Sequence, residues 1–215
     1  MTATGDSSPP KTIQIKVVGD ACAGKTSLIH RYVTGEFSEL VKATVGAEFH
    51  TSSAKMDGVE YPIQIWDIAG SYRTHQNVTT QFFRRSDAVM ICCNASQEDY
   101  FHNVVDWRNM VTDFAGPDVP CVLTMTQIDR YVPERNWQAE FQGIAPFDGF
   151  YQTSAKDDVG VTEAFRELIR MSFTFVTTRK PTFSRTSATT SNTITESIDI
   201  KSLRENNKKP CCKKQ

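Results

Sequence analysis

A short stretch near the amino terminus limits more than any other what this chain can fold into. Gly19 and Gly24 enclose four residues and are followed directly by Lys25 and Thr26. Residues 12–19 alternate apolar and polar side chains and end in glycine, which predicts a strand, and a helix is predicted to begin near Gly24. The pattern G-x-x-x-x-G-K-T between a strand and a helix is typical of a phosphate-binding loop.

The chemistry of such a loop explains the pattern. A glycine-rich turn lets several backbone N–H groups point into one concavity, and the helix that follows adds its positive N-terminal end. We expect the Lys25 ammonium to reach the β- and γ-phosphate oxygens and the Thr26 hydroxyl to ligate Mg²⁺. Cys22 is interpreted as a small filler residue. The predicted phosphate loop consists of Gly19, Asp20, Ala21, Cys22, Ala23, Gly24, Lys25, Thr26 and Ser27.

Strands and helices alternate along the rest of the chain. The apolar runs 88–94 and 119–126 predict strands that are buried on both faces, and residues 149–155 predict a weaker strand. Two further strands, 47–56 and 59–68, flank Asp57-Gly58, a strong hairpin signal. Apolar residues recur at helical spacing over 104–114 and 161–176. The prediction is a three-layer α/β phosphate-loop fold, with a mostly parallel six-stranded sheet, one antiparallel edge strand, and helices on both faces.

The two ends of the chain differ from its middle. Residues 1–10 are small, polar and proline-rich and predict a disordered arm, while residues 11–178 predict the folded domain. Residues 179–215 are rich in Ser, Thr and Asn and carry nine basic but three acidic residues, which predicts a flexible tail. A basic tail on an acidic domain suggests an anionic partner such as a membrane. The net charge of −1 gives no indication of nucleic-acid binding, and no oligomer is predicted.

Cysteine spacing and hydropathy limit where the protein resides. The six cysteines lack the paired spacing of a disulfide framework or a zinc site, which favours a reducing compartment. Residues 1–11 have no apolar segment of the kind found in a signal peptide, and no apolar run reaches the roughly 18 residues of a membrane span. Membrane attachment would therefore need another route.

Several stretches that follow the phosphate loop, in their order along the chain, resemble the Ras-like small GTPases and, among them, the Rab branch. They are ATVGAEF at 43–49, WDIAG at 66–70 and FFRRSDAVM at 82–90. The resemblance covers residues 11–178 and the carboxyl terminus. It implies a switch that binds GTP or GDP with Mg²⁺ and hydrolyses GTP.

The resemblance also assigns roles to single residues. Thr44 would ligate Mg²⁺ and sense the γ-phosphate, and Asp67 would hold Mg²⁺ through water. The Gly70 N–H would contact the γ-phosphate, so that Lys25, Thr44 and Gly70 would act directly on the reacting phosphate. Phe37 falls where an aromatic ring packs against guanine.

The base-reading motif departs from the family pattern. Where the family has Asn-Lys-x-Asp, this chain has Thr126, Gln127, Ile128 and Asp129. The Asp129 carboxylate would accept from guanine N1–H and the 2-amino group, a donor pair that adenine lacks. Because Thr126 is shorter than Asn and Gln127 has no charge, we expect weaker guanine binding with the selectivity retained.

A second base-reading motif, TSAK at 153–156, matches the family. By resemblance, Ser154 belongs to the guanine site, the Ala155 N–H meets guanine O6, and Lys156 packs on the base.

The hydrolytic motif departs as well. The family places a Gln directly after the Gly of D-x-A-G to orient the attacking water, and this chain has Ser71 there. A serine is too short to bridge the water and the γ-phosphate, so hydrolysis slower than the family norm is expected. A shifted Gln, Gln76 or Gln81, is the weaker interpretation. Activating proteins that supply an Arg and a Gln in trans leave stimulated hydrolysis open.

The carboxyl terminus suggests a lipid anchor. The adjacent Cys211 and Cys212 lie among four lysines and resemble the tandem prenylated cysteines of Rab proteins. Cys212 also begins a four-residue C-a-a-X box, but the lysines at its aliphatic positions make that the poorer interpretation.

The resemblance implies a lipid-anchored protein on the cytoplasmic face of intracellular membranes, with a cytosolic pool. Its implied partners are exchange factors, GTPase-activating proteins and effectors at the loops near 37–50 and 68–82, together with prenylation machinery and GDP-dissociation inhibitor.

Two other functions are compatible with a phosphate loop. One is a guanine-nucleotide-binding scaffold with negligible GTPase activity, which Ser71 and Gln127 both favour. The other is an ATPase or small-molecule kinase, which would need a lid and an acceptor site, and no segment of the sequence indicates either.

Overall fold

The computed structural model of the chain describes residues 10–71, 81–97, 100–130 and 136–179. Of these residues, those up to Thr178 belong to one compact unit. The predicted arm and tail lie almost wholly outside the described residues. Cys211, Cys212 and Gln76 also lie outside them.

Six strands form a single sheet in the order β2-β3-β1-β4-β5-β6. All neighbouring strands are parallel except β2 and β3, which form an antiparallel hairpin with β2 at the edge. The strands are β1 (Ile13–Val18), β2 (Ala47–Met56), β3 (Val59–Ile68), β4 (Ala88–Asn94), β5 (Cys121–Thr126) and β6 (Gly149–Gln152). This sheet confirms the predicted fold class.

The described part of the chain also contains the helices α1 (Lys25–Thr34), α2 (Tyr100–Phe114), α3 (Trp137–Phe141) and α4 (Val161–Thr178). Leu28 of α1 and Phe165 of α4 share one core cluster. Trp107 of α2 and Phe141 of α3 belong to a second cluster. The sheet separates the two clusters, as expected for helices on both faces. None of the described helices combines the length and the apolar character that crossing a bilayer requires.

Local sequence explains where the elements begin and end. The hairpin turns at Asp57 and Gly58, whose φ angles of 50° and 82° are those of an Asp-Gly turn. β5 begins two residues later than predicted, after Pro120, which has no N–H to donate to a strand ladder. The five-residue helix α3 was not predicted, because it is too short to show a period.

Sheet topology brings distant parts of the sequence to one edge. The carboxyl ends of parallel strands lie at the same edge of a sheet, which is where ligands bind in such folds. Strands β1, β3, β5 and β6 lead at this edge into residues 19–24, 69–71, 127–130 and 153–156. The antiparallel β2 begins at this edge, because Ala47 pairs with Ile68.

Lys16 is an unusual residue for the centre of the sheet. It lies on β1, is 3% exposed, and stacks its ammonium 4.2 Å from the centre of the Trp66 ring. Its Nζ donates to Gln14 Oε1 over 3.1 Å. Burial lowers the pKa of Lys16 to about 8, although the negative charge of Asp87 opposes this shift. The folded state therefore binds the proton less tightly than the unfolded chain does.

We expect Lys16→Met to raise the free energy of unfolding at pH 7 by about 1–3 kcal/mol, since a lowered lysine pKa is a cost of folding at pH values below it. Because the unfolded lysine loses its proton only near pH 10.5, the wild type recovers stability between about pH 8 and 10.5, and the gain from Met should shrink there. Urea unfolding at pH 7 and near pH 10 measures both effects. The exposed Lys55→Met is the control, and an equal gain at both pH values would contradict the account.

Candidate functional site

The phosphate loop closes around its own lysine. Lys25 is the first residue of α1 and is 6% exposed. Its Nζ donates to Gly19 O over 2.9 Å and to Asp20 O over 2.8 Å. Gly19 has φ 137°, and a Cβ there would lie 2.1 Å from Cys92 O, so the tight turn over β4 requires glycine. The loop thus positions a buried ammonium at the start of a helix.

The electrostatics around Lys25 favour an anion. Burial lowers the pKa of Lys25, while the nearby Asp67, Cys92 and Asp20 act to raise it. A buried ammonium is stabilised when an anion pairs with it. A phosphate in the loop would be such an anion and would hold Lys25 in the charged form.

The three residues predicted to hold a metal come together, although they are far apart in the sequence. Thr26 Oγ1 donates to Asp67 Oδ2 over 2.5 Å, and Thr44 Oγ1 donates to the same oxygen over 3.2 Å. The two hydroxyl oxygens are 2.9 Å apart. Asp67 is 1% exposed at the end of β3.

This donor set fits Mg²⁺. Among the described residues, Asp67 Oδ1 is buried and has no hydrogen-bond partner. A buried carboxylate oxygen needs a partner, and carboxylate and hydroxyl oxygens are hard ligands of the kind that Mg²⁺ prefers. Thr26 and Thr44 would hold the ion, and Asp67 would orient its water. The described residues contain no group of three His, Cys, Asp or Glu that suggests a different metal.

Gly70 lies directly against the phosphate loop. A Cβ at this position would come within 2.2 Å of Ala21 N and 2.3 Å of Asp20 C. Only glycine allows the backbone after β3 to approach the loop this closely. Ser71 follows it and is exposed, and Gln81 is exposed as well.

Both departures in the first base-reading motif contact the phosphate loop. Thr126 Oγ1 lies 2.7 Å from Ala23 O and 3.1 Å from Cys93 O and can donate to either. Gln127 Nε2 donates to Cys22 O over 2.9 Å. Gln127 and Cys22 both have left-handed backbones, with φ 60° and 62°. These two side chains therefore tie the base-reading segment to the phosphate loop, a role that the sequence analysis missed for Gln127.

The acid predicted to select the base remains accessible. Asp129 is exposed and accepts a hydrogen bond on Oδ1 from Ser154 Oγ, over 2.8 Å. Ser154 is 1% exposed, and its hydroxyl also accepts from Asp157 N over 3.0 Å. The second base-reading motif thus fixes the carboxylate of the first.

Arg31 supports this region and was also missed from the sequence. It lies in the last turn of α1, and its guanidinium donates to Ala155 O over 2.6 Å, to Lys156 O over 3.0 Å and to Gly35 O over 2.5 Å. The helix that begins at the phosphate loop therefore also holds the second base-reading motif. The only sequence signal was a basic residue in the last turn of a predicted helix.

The remaining residues that are predicted to contact the base lie near the protein surface. Phe37 is half-buried, with its ring centre 6.0 Å from the Arg31 guanidinium. The Lys156 ammonium lies 3.6 Å from Glu39 Oε1, and both side chains are exposed. An exposed pair of this kind is weak, so it leaves Lys156 available to a ligand.

A further contact is made by Asp20, the second residue of the phosphate loop. Trp107 Nε1 of α2 donates to Asp20 Oδ1 over 2.9 Å. In the sequence, Trp107 belongs only to the apolar helical spacing of residues 104–114. The spacing of residues in the sequence does not predict a hydrogen bond from the indole N–H to a carboxylate of the phosphate loop.

Comparison with known proteins yields one family. A model of the Ras family matches residues 14–174. The Ras-related protein Rab-7a of Dictyostelium discoideum is 32% identical over 169 residues, which cover 74% of this chain and 81% of the relative. The GTP-binding protein yptV5 of Volvox carteri is 33% identical over 172 residues, covering 74% and 82%. The Ras-related protein Rab-11C of Dictyostelium discoideum is 31% identical over 174 residues, covering 78% and 75%.

Proposed function

The chain belongs to the Ras family, as a divergent member with Rab-named relatives, and from this premise we propose that it is a GTP-dependent switch in intracellular membrane traffic. The observation that carries the proposal is the convergence of Thr26, Thr44 and Asp67 beside the Lys25 ammonium. This is the set of groups needed to hold a triphosphate with Mg²⁺. Relatives named as Rab and GTP-binding proteins support the same conclusion.

The geometry suggests how the switch responds to the γ-phosphate. Bound Mg²⁺ would neutralise part of the charge on the β- and γ-phosphate oxygens. Thr44 belongs to the segment before β2, and its hydroxyl would bind the ion and hold this segment in place. Gly70 lies against Ala21 and would donate its N–H to the γ-phosphate. Loss of that phosphate would free both segments, which is an order–disorder mechanism of switching.

Guanine selection is assigned to Asp129, and the expected result is a large preference for GDP over ADP. An adenine base would leave the Asp129 carboxylate without its two donors. Asp129→Ala should weaken GDP binding by about 100-fold, the scale of losing hydrogen bonds to a charged group. Nucleotide extraction followed by chromatography, together with titration by GDP and ADP, measures both quantities.

The exposed Asp157→Ala is the matched control, because it removes a carboxylate from the same region while Ser154 keeps its backbone partner. Retention of ATP or ADP by the purified protein, or an unchanged GDP affinity in Asp129→Ala, would contradict the assignment.

Hydrolysis is proposed to be slow, because Ser71 stands where the family places the water-orienting Gln. The alternative is a guanine-nucleotide-binding scaffold that hardly hydrolyses GTP, and Ser71 supports this function as well. The two functions differ in the nucleotide that the purified protein carries. A switch carries a mixture of GTP and GDP after purification, whereas a scaffold retains GTP alone.

Ser71→Gln should accelerate single-turnover GTP hydrolysis by about 10-fold, from a wild-type rate below the roughly 10⁻⁴ s⁻¹ of Ras with its Gln. The longer side chain can contact the water and the γ-phosphate together. Ser53→Gln, on the edge strand β2, controls for the added amide. A wild-type rate equal to that of Ser71→Gln would overturn the role of Ser71.

The output of the switch is proposed to be partner binding through the loops near 37–50 and 68–82. Apolar side chains are unusually exposed in the first of these loops: Leu40 is 93%, Val45 54% and Phe49 52% exposed. The Phe49 ring is 5.2 Å from Trp66, which in turn is 6.4 Å from Phe82. Clustered apolar surface of this kind is typical of protein interaction sites. Exchange factors, GTPase-activating proteins and effectors are the proposed partners.

Membrane attachment is proposed to occur through the tail. Cys211 and Cys212 would carry prenyl groups, and the neighbouring lysines would contact anionic lipid headgroups. Prenylation machinery and GDP-dissociation inhibitor would then be partners, and the protein would divide between the cytoplasmic face of internal membranes and the cytosol.

The double variant Cys211→Ser/Cys212→Ser should move from the membrane fraction to the soluble fraction in cell extracts, since polybasic attraction alone gives weak, salt-sensitive attachment. Each single variant reports whether one lipid suffices. Cys121→Ser, a buried cysteine of the core, controls for loss of a thiol. Membrane retention of the double variant at high salt would exclude lipid anchoring at these residues.

A further inference from the structure

The bond between Trp107 and Asp20 has no part in the proposed mechanism so far. Trp107 lies in α2 and is 1% exposed, and its Nε1 is 2.9 Å from Asp20 Oδ1. It belongs to the core cluster on the face of the sheet opposite α1. The bond therefore directs the Asp20 carboxylate toward the α2 side of the phosphate loop.

Asp20 is electrostatically out of place in this loop. It is the sole acidic residue among residues 19–27, a segment whose N–H groups and ammonium are suited to anions. It lies next to the ammonium at the centre of the loop, because the Asp20 backbone O accepts from Lys25 Nζ over 2.8 Å. A carboxylate free to rotate there would compete with phosphate for Lys25 and repel the phosphate charge.

Trp107 has the chemistry needed to restrain that carboxylate. An indole N–H is a donor only, so it cannot present a lone pair to an anion. A hydrogen bond from a buried donor to an ionised acceptor is stronger than one between neutral groups. The ring is fixed in the core, so the donor cannot follow the carboxylate if the loop moves.

We propose that Trp107 is a positioning residue for phosphate binding, whose indole N–H holds the Asp20 carboxylate away from the phosphates. This inference rests on the proposed function, because it requires a nucleotide phosphate in the loop. It predicts that the importance of Trp107 depends on the negative charge carried by the ligand.

The test compares Trp107→Phe, Asp20→Asn and the double variant for their affinities to GTP, GDP and GMP. Phe keeps an aromatic ring in the core but has no donor, and Asn keeps an oxygen that can accept from the indole but has no charge. Trp137 of α3 is also buried, so Trp137→Phe is the control for replacing a core Trp by Phe. Circular dichroism and thermal unfolding establish that each variant is folded.

We expect Trp107→Phe to weaken GTP binding by about 10-fold, GDP binding by less, and GMP binding hardly at all, in keeping with the loss of a hydrogen bond to a charged group. Adding Asp20→Asn should restore GTP affinity to within about 3-fold of the wild type, because the freed side chain no longer repels phosphate. Trp137→Phe should bind all three nucleotides like the wild type, and Trp107→Phe should cost far less GTP affinity in the Asp20→Asn background than in the wild type.

Two results would overturn the inference. Equal losses for GTP, GDP and GMP in Trp107→Phe would mean that the ring only supports the fold. Failure of Asp20→Asn to restore GTP affinity would mean that the bond anchors the loop and that the charge is irrelevant. A wild-type protein that binds no guanine nucleotide would instead refute the proposed function, so the two failures are distinguishable.

If Trp107→Phe does not fold, a second pair of variants decides the question with the core unchanged. Asp20→Glu moves the carboxylate away from the position set by the indole, and Asp20→Gln has the same length without the charge. We expect Asp20→Glu to bind GTP several-fold more weakly than Asp20→Gln, with the difference shrinking for GMP. Equal GTP affinities of the two variants would overturn the inference.

Discussion

The buried carboxylate of Asp67 is the interaction on which the rest of the site depends. It lies at the end of β3 and receives the hydroxyls of Thr26 and Thr44 on one oxygen, while the other has no partner among the described residues. A half-satisfied buried anion is costly, so a cation that supplied the missing partner would stabilise this arrangement. Because Thr44 lies in the segment before β2 and Thr26 at the start of α1, this one carboxylate connects the phosphate loop to the loop near 37–50, which is proposed to bind partners.

The remaining features follow from where the parallel strands end. Four segments reach one edge of the sheet, and several of the contacts that hold them run from a side chain to a backbone carbonyl: Thr126 and Gln127 to the phosphate loop, and Arg31 of α1 to the second base-reading motif. Such contacts depend on the path of the partner backbone, not on the identity of its side chain. Thr126 and Gln127, which stand where the family has Asn and Lys, therefore connect to the phosphate loop without requiring particular side chains there.

The sequence predicted the parts of the molecule that local physics determines. The strand before Gly19, the hairpin at Asp57-Gly58 and the long amphipathic helix α4 all have strong periodic or turn signals, and the structure places them where expected. Family resemblance supplied Thr44 and Asp67, since nothing local indicates that they meet. Contacts across the fold were not predictable: the burial of Lys16 over Trp66, the Arg31 bonds to the second base-reading motif and the Trp107 bond to Asp20 join residues whose spacing shows no pattern.

The bonds from Thr126 and Gln127 to the carbonyls of Ala23 and Cys22 have a consequence for how a ligand is released. Each of the two segments is held partly by the other, so ordering one of them with a ligand would lower the entropy cost of ordering the other. The nucleoside and the pyrophosphate portions of a ligand should therefore bind cooperatively, even as separate molecules. A partner that pulled on either segment would loosen both, and ejection of the whole ligand would follow from a disturbance at one end.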